Sequence, residues 1–266
     1  MIPVRTDLAP FRAAVAELPA RARLAGDPAG AVVVVPGSAG WCAAAAAAFA
    51  AGAVAIVVDD PAPEPDARLA ALSAGAGARP VILSRTSLRH DVVADAVGGP
   101  GGVRTAPAAG IAEVTGRASA LPGLVRDAVG WLRTLTGGPI EFVAASTGDG
   151  SSVAGLRSPT GTGPVPHSLV AVAGPVIVPR LRVTVLADVR TEVVVDHAAR
   201  ATCLTWTDEA GEHTSPRRFE APERLALRRA LAAIADAEAC TDLADLRHDD
   251  ELAHRILVAA STPAFA

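Results

Sequence analysis

Three short runs of apolar residues, separated by helical patterns, constrain the fold of this chain more than any other feature. The runs are Ala31–Val35, Ala53–Val58 and Pro80–Ser84, and they are apolar along almost their whole length rather than at every second residue. Such runs are typical of strands that a parallel sheet buries on both faces. The segments Trp41–Ala51 and Pro65–Ser73 lie between them and have helical composition and length. The order β-α-β-α-β predicts half of a doubly wound sheet.

The rest of the chain predicts a second kind of architecture. Residues 8–24 and Ser119–Leu135 have helical spacing, Ala94–Gly116 is a crossover rich in Gly, Ala and Pro, and Gly148–Pro166 has the composition of a long loop. Strands are predicted at Ile140–Ala145, Ser168–Ala173, Leu181–Ala187, Thr191–Asp196 and Ala201–Thr207, and helices at Pro222–Ala239 and Asp249–Ala260. We therefore predict an incomplete Rossmann-like parallel-sheet domain at 1–108, followed at 109–266 by an α+β domain whose open sheet is largely antiparallel and flanked by helices.

The composition excludes several mechanisms. The 266 residues include no Lys, Tyr, Asn or Gln, so no lysine Schiff base, tyrosine proton donor or amide oxyanion hole can form. All 24 basic residues are arginine, which binds anions but does not exchange protons at ordinary pH. The net charge of −4 argues against nucleic-acid and membrane partners. Three scattered cysteines and a start without an apolar core lead us to expect a cytoplasmic protein with reduced thiols.

The segment after the first apolar run is a candidate ligand-binding site. Gly37, Ser38, Gly40 and Trp41 would lie at the carboxyl edge of the sheet and open a helix, where free N–H groups favour an anion. Ser38 also stands in an incomplete nucleophile elbow, since Pro36 replaces the first glycine of GxSxG. A simpler interpretation is that Ser38 caps the helix and the glycines form the turn.

No metal site is predicted. His248, Asp249, Asp250 and His254 resemble a ligand set, but at helical spacing His248 lies well around the helix from His254. Acidic residues also suit the start of a helix electrostatically, which favours a structural role for the pair.

The element order resembles that of the glucose-fructose oxidoreductase/inositol dehydrogenase/MocA family of NAD(P)-dependent oxidoreductases. The similarity rests on AVVVVPGSAGWCAAAAAAFAAGAVAIVVDDPAPEPDARLAAL, LVRDAVGWLRTLTGGPIEFVAAS and DLADLRHDDELAHRILVAAS, and it covers most of residues 20–265. The resemblance implies a Rossmann-like domain, a sheet domain through which subunits associate, and a hydride-transfer site that uses a lysine and a histidine.

Three departures from the family pattern weaken that implied activity. The family opens with a strand, a GxGxxG turn and a helix, and the present chain is expected to begin too late to contain them. Asp60 stands where the resemblance places the lysine of Glu-Lys-Pro, and Asp127 stands where it places the histidine of Asp-x-Gly-x-His-x-x-Asp. Asp59–Asp60 could equally be a polar strand end, and Asp127 a solvated or capping carboxylate.

Three functional hypotheses follow. The first is a non-catalytic partner subunit that associates through its sheet with a catalytic oxidoreductase of the same family and needs no cofactor. Alternating residues such as Val183, Val185 and Ala187 or Val193 and Val195 would form that interface. The second is an enzyme redeployed to elimination, isomerisation or cyclisation in a cleft between the domains, with Asp60 and Asp127 as catalytic candidates. The third is a truncated enzyme whose NAD(P) site is completed by another chain.

Overall fold

The computed structural model describes residues 1–99, 107–148, 150–159, 163–175, 177–236 and 240–259. The chain divides into two compact units. The first contains Met1–Thr86 and Phe219–Arg247, and the second contains Ser87–Arg218 and the chain from His248 onward. A later part of the chain thus returns to the first unit. A domain boundary at residue 108 stays a prediction.

The first unit is built on a five-stranded sheet. The strands have the order β2-β1-β3-β4-β5, and all neighbours are parallel. They are β1 (Ile2–Arg5), β2 (Ala22–Leu24), β3 (Val32–Pro36), β4 (Ala55–Asp59) and β5 (Val81–Ser84). The helices of this unit are α1 (Ala9–Ala16), α2 (Trp41–Ala50), α3 (Asp66–Ala76) and α6 (Pro222–Asp236). The predicted parallel sheet is confirmed.

Both faces of this sheet are buried, which explains the continuous apolar runs. Val33 and Ile56 face one core with Phe49 of α2, whereas Val34 and Val57 face another with residues of α1 and α6. Because alternate residues of each strand point to opposite faces, every residue in the middle of the strand must be apolar.

The start of the chain differs from the prediction. A single helix was expected over residues 8–24, and the first βα unit was expected to be missing. Instead β1 lies between β2 and β3, and α1 follows it. The first strand of a doubly wound sheet occupies this place, with the second strand on one side and the later strands on the other. The expected absence of this unit is wrong, because Ile2–Arg5 is a short strand that contains Pro3 and gives a weak strand signal.

The second unit carries an eight-stranded sheet of order β13-β12-β11-β10-β6-β9-β8-β7, antiparallel except for the β6–β9 pair. The strands are β6 (Ala109–Gly116), β7 (Glu141–Gly148), β8 (Ser151–Ser158), β9 (Val165–Ala173), β10 (Arg180–Leu186), β11 (Arg190–Asp196), β12 (Ala201–Asp208) and β13 (Gly211–Thr214). The helices are α4 (His90–Gly98), α5 (Leu121–Thr136) and α7 (Asp242–Ala259), whose first residues belong to the first unit. The predicted fold class is confirmed.

Two predictions for this sheet are wrong. Strand β8 lies within the stretch 148–166 that was predicted as a loop; residues 149 and 160–162 of that stretch lie outside the described residues. Val183, Val185, Val193 and Val195, predicted to form an exposed interface, are buried in the core beneath α5. A slip of one residue exchanges the faces of a strand, so alternation alone could not tell which face α5 covers.

The crossover predicted at Ala94–Gly116 also contains regular structure, since it overlaps the end of α4 and all of β6. Residues 100–106 of that crossover lie outside the described residues. Of the helices that the structure describes, none is long and apolar enough to cross a membrane.

Candidate functional site

The carboxyl edge of the parallel sheet is where a doubly wound fold places its ligands. Strand order reverses between β1 and β3, because β2 lies on one side of β1 while β3, β4 and β5 follow on the other. The turns that leave β1 and β3 therefore flank the switch point. These two turns decide what the edge can bind.

The turn after β1 contains no glycine. Its residues are Thr6, Asp7 and Leu8, and the Leu8 N–H donates to the Thr6 hydroxyl at 3.1 Å. Asp7 is exposed at the start of α1, and Pro10 in the first turn of the helix has no N–H to donate. At this helix start, Leu8 and Pro10 therefore offer no N–H group to an incoming anion, and the carboxylate of Asp7 lies beside the remaining N–H groups.

The turn after β3 depends on a glycine for space. A Cβ built on Gly37 would lie 2.3 Å from the carbonyl oxygen of Asp59 and 2.4 Å from that of Asp60. The Gly37 N–H donates to the Asp59 carbonyl at 2.8 Å, and the Gly37 carbonyl accepts from Ala62 at 2.6 Å. Gly37 therefore joins the ends of β3 and β4.

The start of α2 binds a carboxylate from the chain itself. The Gly40 N–H donates to Glu64, whose side chain is only 2% exposed. Arg68 binds the other oxygen of that carboxylate at 3.1 Å, and the Trp41 indole donates to the Ala62 carbonyl at 2.9 Å. Of the four predicted ligand-binding residues, Gly37, Gly40 and Trp41 thus contact the segment that follows β4.

Ser38, the fourth, is exposed. Its backbone carbonyl accepts from the Trp41 N–H at 3.1 Å. The N-cap residue of α2 is Gly40, in a left-handed conformation with φ of 88°, and it has no side chain with which to cap the helix. The interpretation of Ser38 as a side-chain cap is therefore wrong.

Asp59 ends β4 at the same edge, and Asp60 follows it. Asp60 is exposed and has a φ of 48°, in the left-handed region that aspartate tolerates better than most residues. Burial, with the nearby charges of Glu223 and Asp60, raises the pKa of Asp59 to about 6. An acid with that pKa is present in both protonation states near neutral pH, which a general acid or base requires.

Asp127 belongs to the second unit and is buried. Its carboxylate accepts from the Nε of Arg126, itself 2% exposed, at 3.0 Å, and Asp250 lies 3.9 Å from the same nitrogen. A solvated or capping role for Asp127 is therefore excluded. The ion pair satisfies this carboxylate inside the unit.

The histidine and aspartates at the centre of α7 serve the packing of the second unit. Asp249 is 0% exposed and binds the Arg133 guanidinium at 3.0 and 3.3 Å. His248 contacts Asp249 at 3.2 Å and the Ile140 backbone, and its bond to Asp249 raises the pKa of its ring. Among the described residues, no group of three or more His, Cys, Asp or Glu side chains is arranged to hold a metal.

No protein-family model and no curated protein matches the sequence. Solved structures do match its fold. UDP-N-acetylglucosamine 3-dehydrogenase GnnA from Acidithiobacillus ferrooxidans matches at 16% identity and a TM-score of 0.70, covering 97% of this chain and 96% of that one. An oxidoreductase from Sinorhizobium meliloti matches at 14% identity and a TM-score of 0.73, covering 98% of this chain and 97% of that one.

Levoglucosan dehydrogenase, in complex with NADH and levoglucosan, matches at 13% identity and a TM-score of 0.67, covering 98% of this chain and 97% of that one. These likenesses confirm the fold that the resemblance implies. The two units of the chain together have the fold of these oxidoreductases.

Proposed function

We propose that this chain is a non-catalytic oxidoreductase-like subunit of the glucose-fructose oxidoreductase/inositol dehydrogenase/MocA type, located in the cytoplasm. It associates through its large sheet with a catalytic oxidoreductase of the same family. The observation that carries the proposal is the turn after β1. In a dinucleotide-binding Rossmann fold, glycines in that turn let the backbone approach the pyrophosphate, which lies at the start of the following helix.

The residues of this turn do not fit a pyrophosphate. Asp7 adds a negative charge where the phosphates would lie, Leu8 uses its N–H within the turn, and Pro10 has none. Asp60 would also repel negative charge that develops on a substrate oxygen during hydride transfer, where the resemblance implies a cationic lysine. Loss of one such stabilising donor costs about 3–4 kcal/mol in other enzymes.

The solvent face of the second sheet supports the proposed association. Ile111, Val153 and Val170 point to this face and lie on three consecutive strands, with Ile111 40% and Val153 50% exposed. Beside them, Arg182 binds Glu192 at 2.8 Å, so the face also carries charged groups for orientation. Apolar residues with adjacent charges are typical of a subunit interface.

Two measurements test this proposal. Titration of the purified chain with NADH and NADPH should show no binding up to about millimolar concentration, and a micromolar Kd would refute it. Native mass spectrometry after gentle purification from its own cells should show a second chain in fixed stoichiometry. Val153→Arg should abolish that complex, whereas Leu24→Arg, at an exposed position in the first unit, should leave it intact. Dinucleotide bound only together with the partner would favour an enzyme completed in trans.

A second candidate function has support from Asp59. A half-buried carboxylate with a pKa of about 6 at the carboxyl edge suits proton abstraction in an elimination or isomerisation. On this alternative Asp60 and Asp127 stay proposed catalytic residues. Asp59→Asn, Asp60→Ala and Asp127→Ala would each be compared with wild type for complementation of a deletion strain. Loss of growth with a folded variant supports the enzyme, and full complementation by all three refutes it.

A further inference from the structure

Helix α2 has no acidic residue in its own first turn, yet its start is neutralised. The neutralising group is the carboxylate of Glu64, a residue that lies 24 positions further along the chain and has a side chain only 2% exposed. A buried carboxylate must be paired or hydrogen-bonded to remain charged at low cost. Glu64 meets this need through the Gly40 N–H and the guanidinium of Arg68.

The segment Asp60–Pro65, here named the strap, is held at several points. The Ala62 N–H donates to the Gly37 carbonyl at 2.6 Å, and the Ala62 carbonyl accepts from Trp41 at 2.9 Å. Three of its six residues are proline, which limits the conformations that the strap can adopt when released. Within the strap, the Glu64 carboxylate contacts the start of helix α2.

We propose that Glu64 is a built-in anionic ligand of α2, which holds the strap closed over the first turn of the helix. The resting chain therefore offers no anion site at this turn, although the positive end of the helix dipole and the Gly40 N–H would suit one. An inorganic anion can bind the Gly40 N–H only when the carboxylate is removed. This inference does not depend on the proposed function, since it concerns the turn after β3 and not the turn after β1.

The experiment compares thermal unfolding in sodium phosphate and in sodium chloride of equal ionic strength, monitored by far-ultraviolet circular dichroism. Glu64→Ala should unfold at a lower temperature than wild type in chloride and recover about half of that loss in phosphate, because phosphate replaces the carboxylate. Titration should show phosphate binding to Glu64→Ala about tenfold or more tighter than to wild type.

Two variants provide the controls. Glu64→Gln keeps an oxygen that can accept from the Gly40 N–H. Arg68→Ala leaves Glu64 in place and removes only its ion-pair partner, the Arg68 side chain, which is 61% exposed. Both should respond to phosphate like wild type, which measures the general salt effect. An equal phosphate response in Glu64→Ala and wild type overturns the proposal, and so does a Glu64→Ala variant that is unfolded in both salts. Dinucleotide binding by wild type would refute the proposed function without changing this comparison.

Discussion

The buried ring of His167 should make the stability of the second unit depend on pH. It lies on β9, is 5% exposed, and contacts the Ser158 hydroxyl through Nε2 at 2.9 Å. Its Nδ1 is buried and has no hydrogen-bond partner among the described residues. The ring lies against Gly110, where an added Cβ would be 2.6 Å from Nδ1. Burial without a charged partner lowers the pKa of His167 from 6.5 to about 4.

The sign of the effect follows from the two pKa values. Between pH 6.5 and pH 4 the unfolded chain binds a proton at this histidine and the folded chain does not. The contribution of His167 to the free energy of unfolding is therefore fully present above pH 6.5 and falls as the pH decreases toward 4. Each unit of pKa shift changes the free energy of unfolding by about 1.4 kcal/mol, so the full contribution of His167 is about 3 kcal/mol. About 2 kcal/mol of this contribution is lost by pH 5.

The perturbation is His167→Leu, measured by urea unfolding between pH 7.5 and pH 5. Trp131 and Trp206 lie in the second unit and Trp41 in the first, so a Trp41→Phe background confines the fluorescence signal to the second unit. The variant leaves the Ser158 hydroxyl buried without its partner, which lowers stability by about 1–3 kcal/mol at every pH. The pH-dependent loss of about 2 kcal/mol should disappear.

Ser158→Ala is the matched control, since it removes the same hydrogen bond but keeps the histidine. It should lower stability and retain the full dependence on pH. Substitution of His213, whose side chain is 51% exposed, should leave the dependence unchanged. An unchanged pH dependence in His167→Leu would refute the reasoning, because the buried imidazole would then not be the group that titrates.

Further predictions concern packing and buried charge. Gly37→Ala should prevent folding or lower the free energy of unfolding by more than about 3 kcal/mol, because its Cβ would collide with backbone oxygens. Gly75→Ala in α3 has free space and should raise the free energy of unfolding by about 0.5–1 kcal/mol. Urea unfolding measures both changes. Asp249→Asn should lower stability by about 3 kcal/mol or more and lower the pKa of His248, followed by NMR titration of the ring. Glu251→Gln, at an exposed neighbouring acid, should change neither by a comparable amount.

The sequence predicts the sheet best where burial leaves no choice. Val32–Pro36, Ala55–Asp59 and Val81–Ser84 are buried on both faces, so their composition is visible without any partner strand. Strand β8 contains three Ser, one Gly and one Arg among its eight residues, and pairing with β7 and β9 makes it a strand. Strand propensity depends strongly on such neighbours, and a single sequence does not show them.

The candidate site is predictable in position but not in content. A turn with two glycines after a buried strand indicates the carboxyl edge, and Gly37 and Gly40 do lie there. That Glu64 would reach the start of α2 could not be read from the sequence, because the contact joins residues 24 positions apart.

The architecture of the parallel sheet explains why negative charge collects at its carboxyl edge. Parallel strands direct the starts of α1 and α2 to one edge, where the helix dipoles favour negative charge. The chain supplies that charge itself, through Asp7 beside α1, Glu64 on α2 and Asp59 after β4. Burial raises the pKa of Asp59, and the nearby charges of Glu223 and Asp60 raise it further, because each disfavours the ionised form. A dinucleotide would bring two more negative phosphates to an edge that already carries these carboxylates.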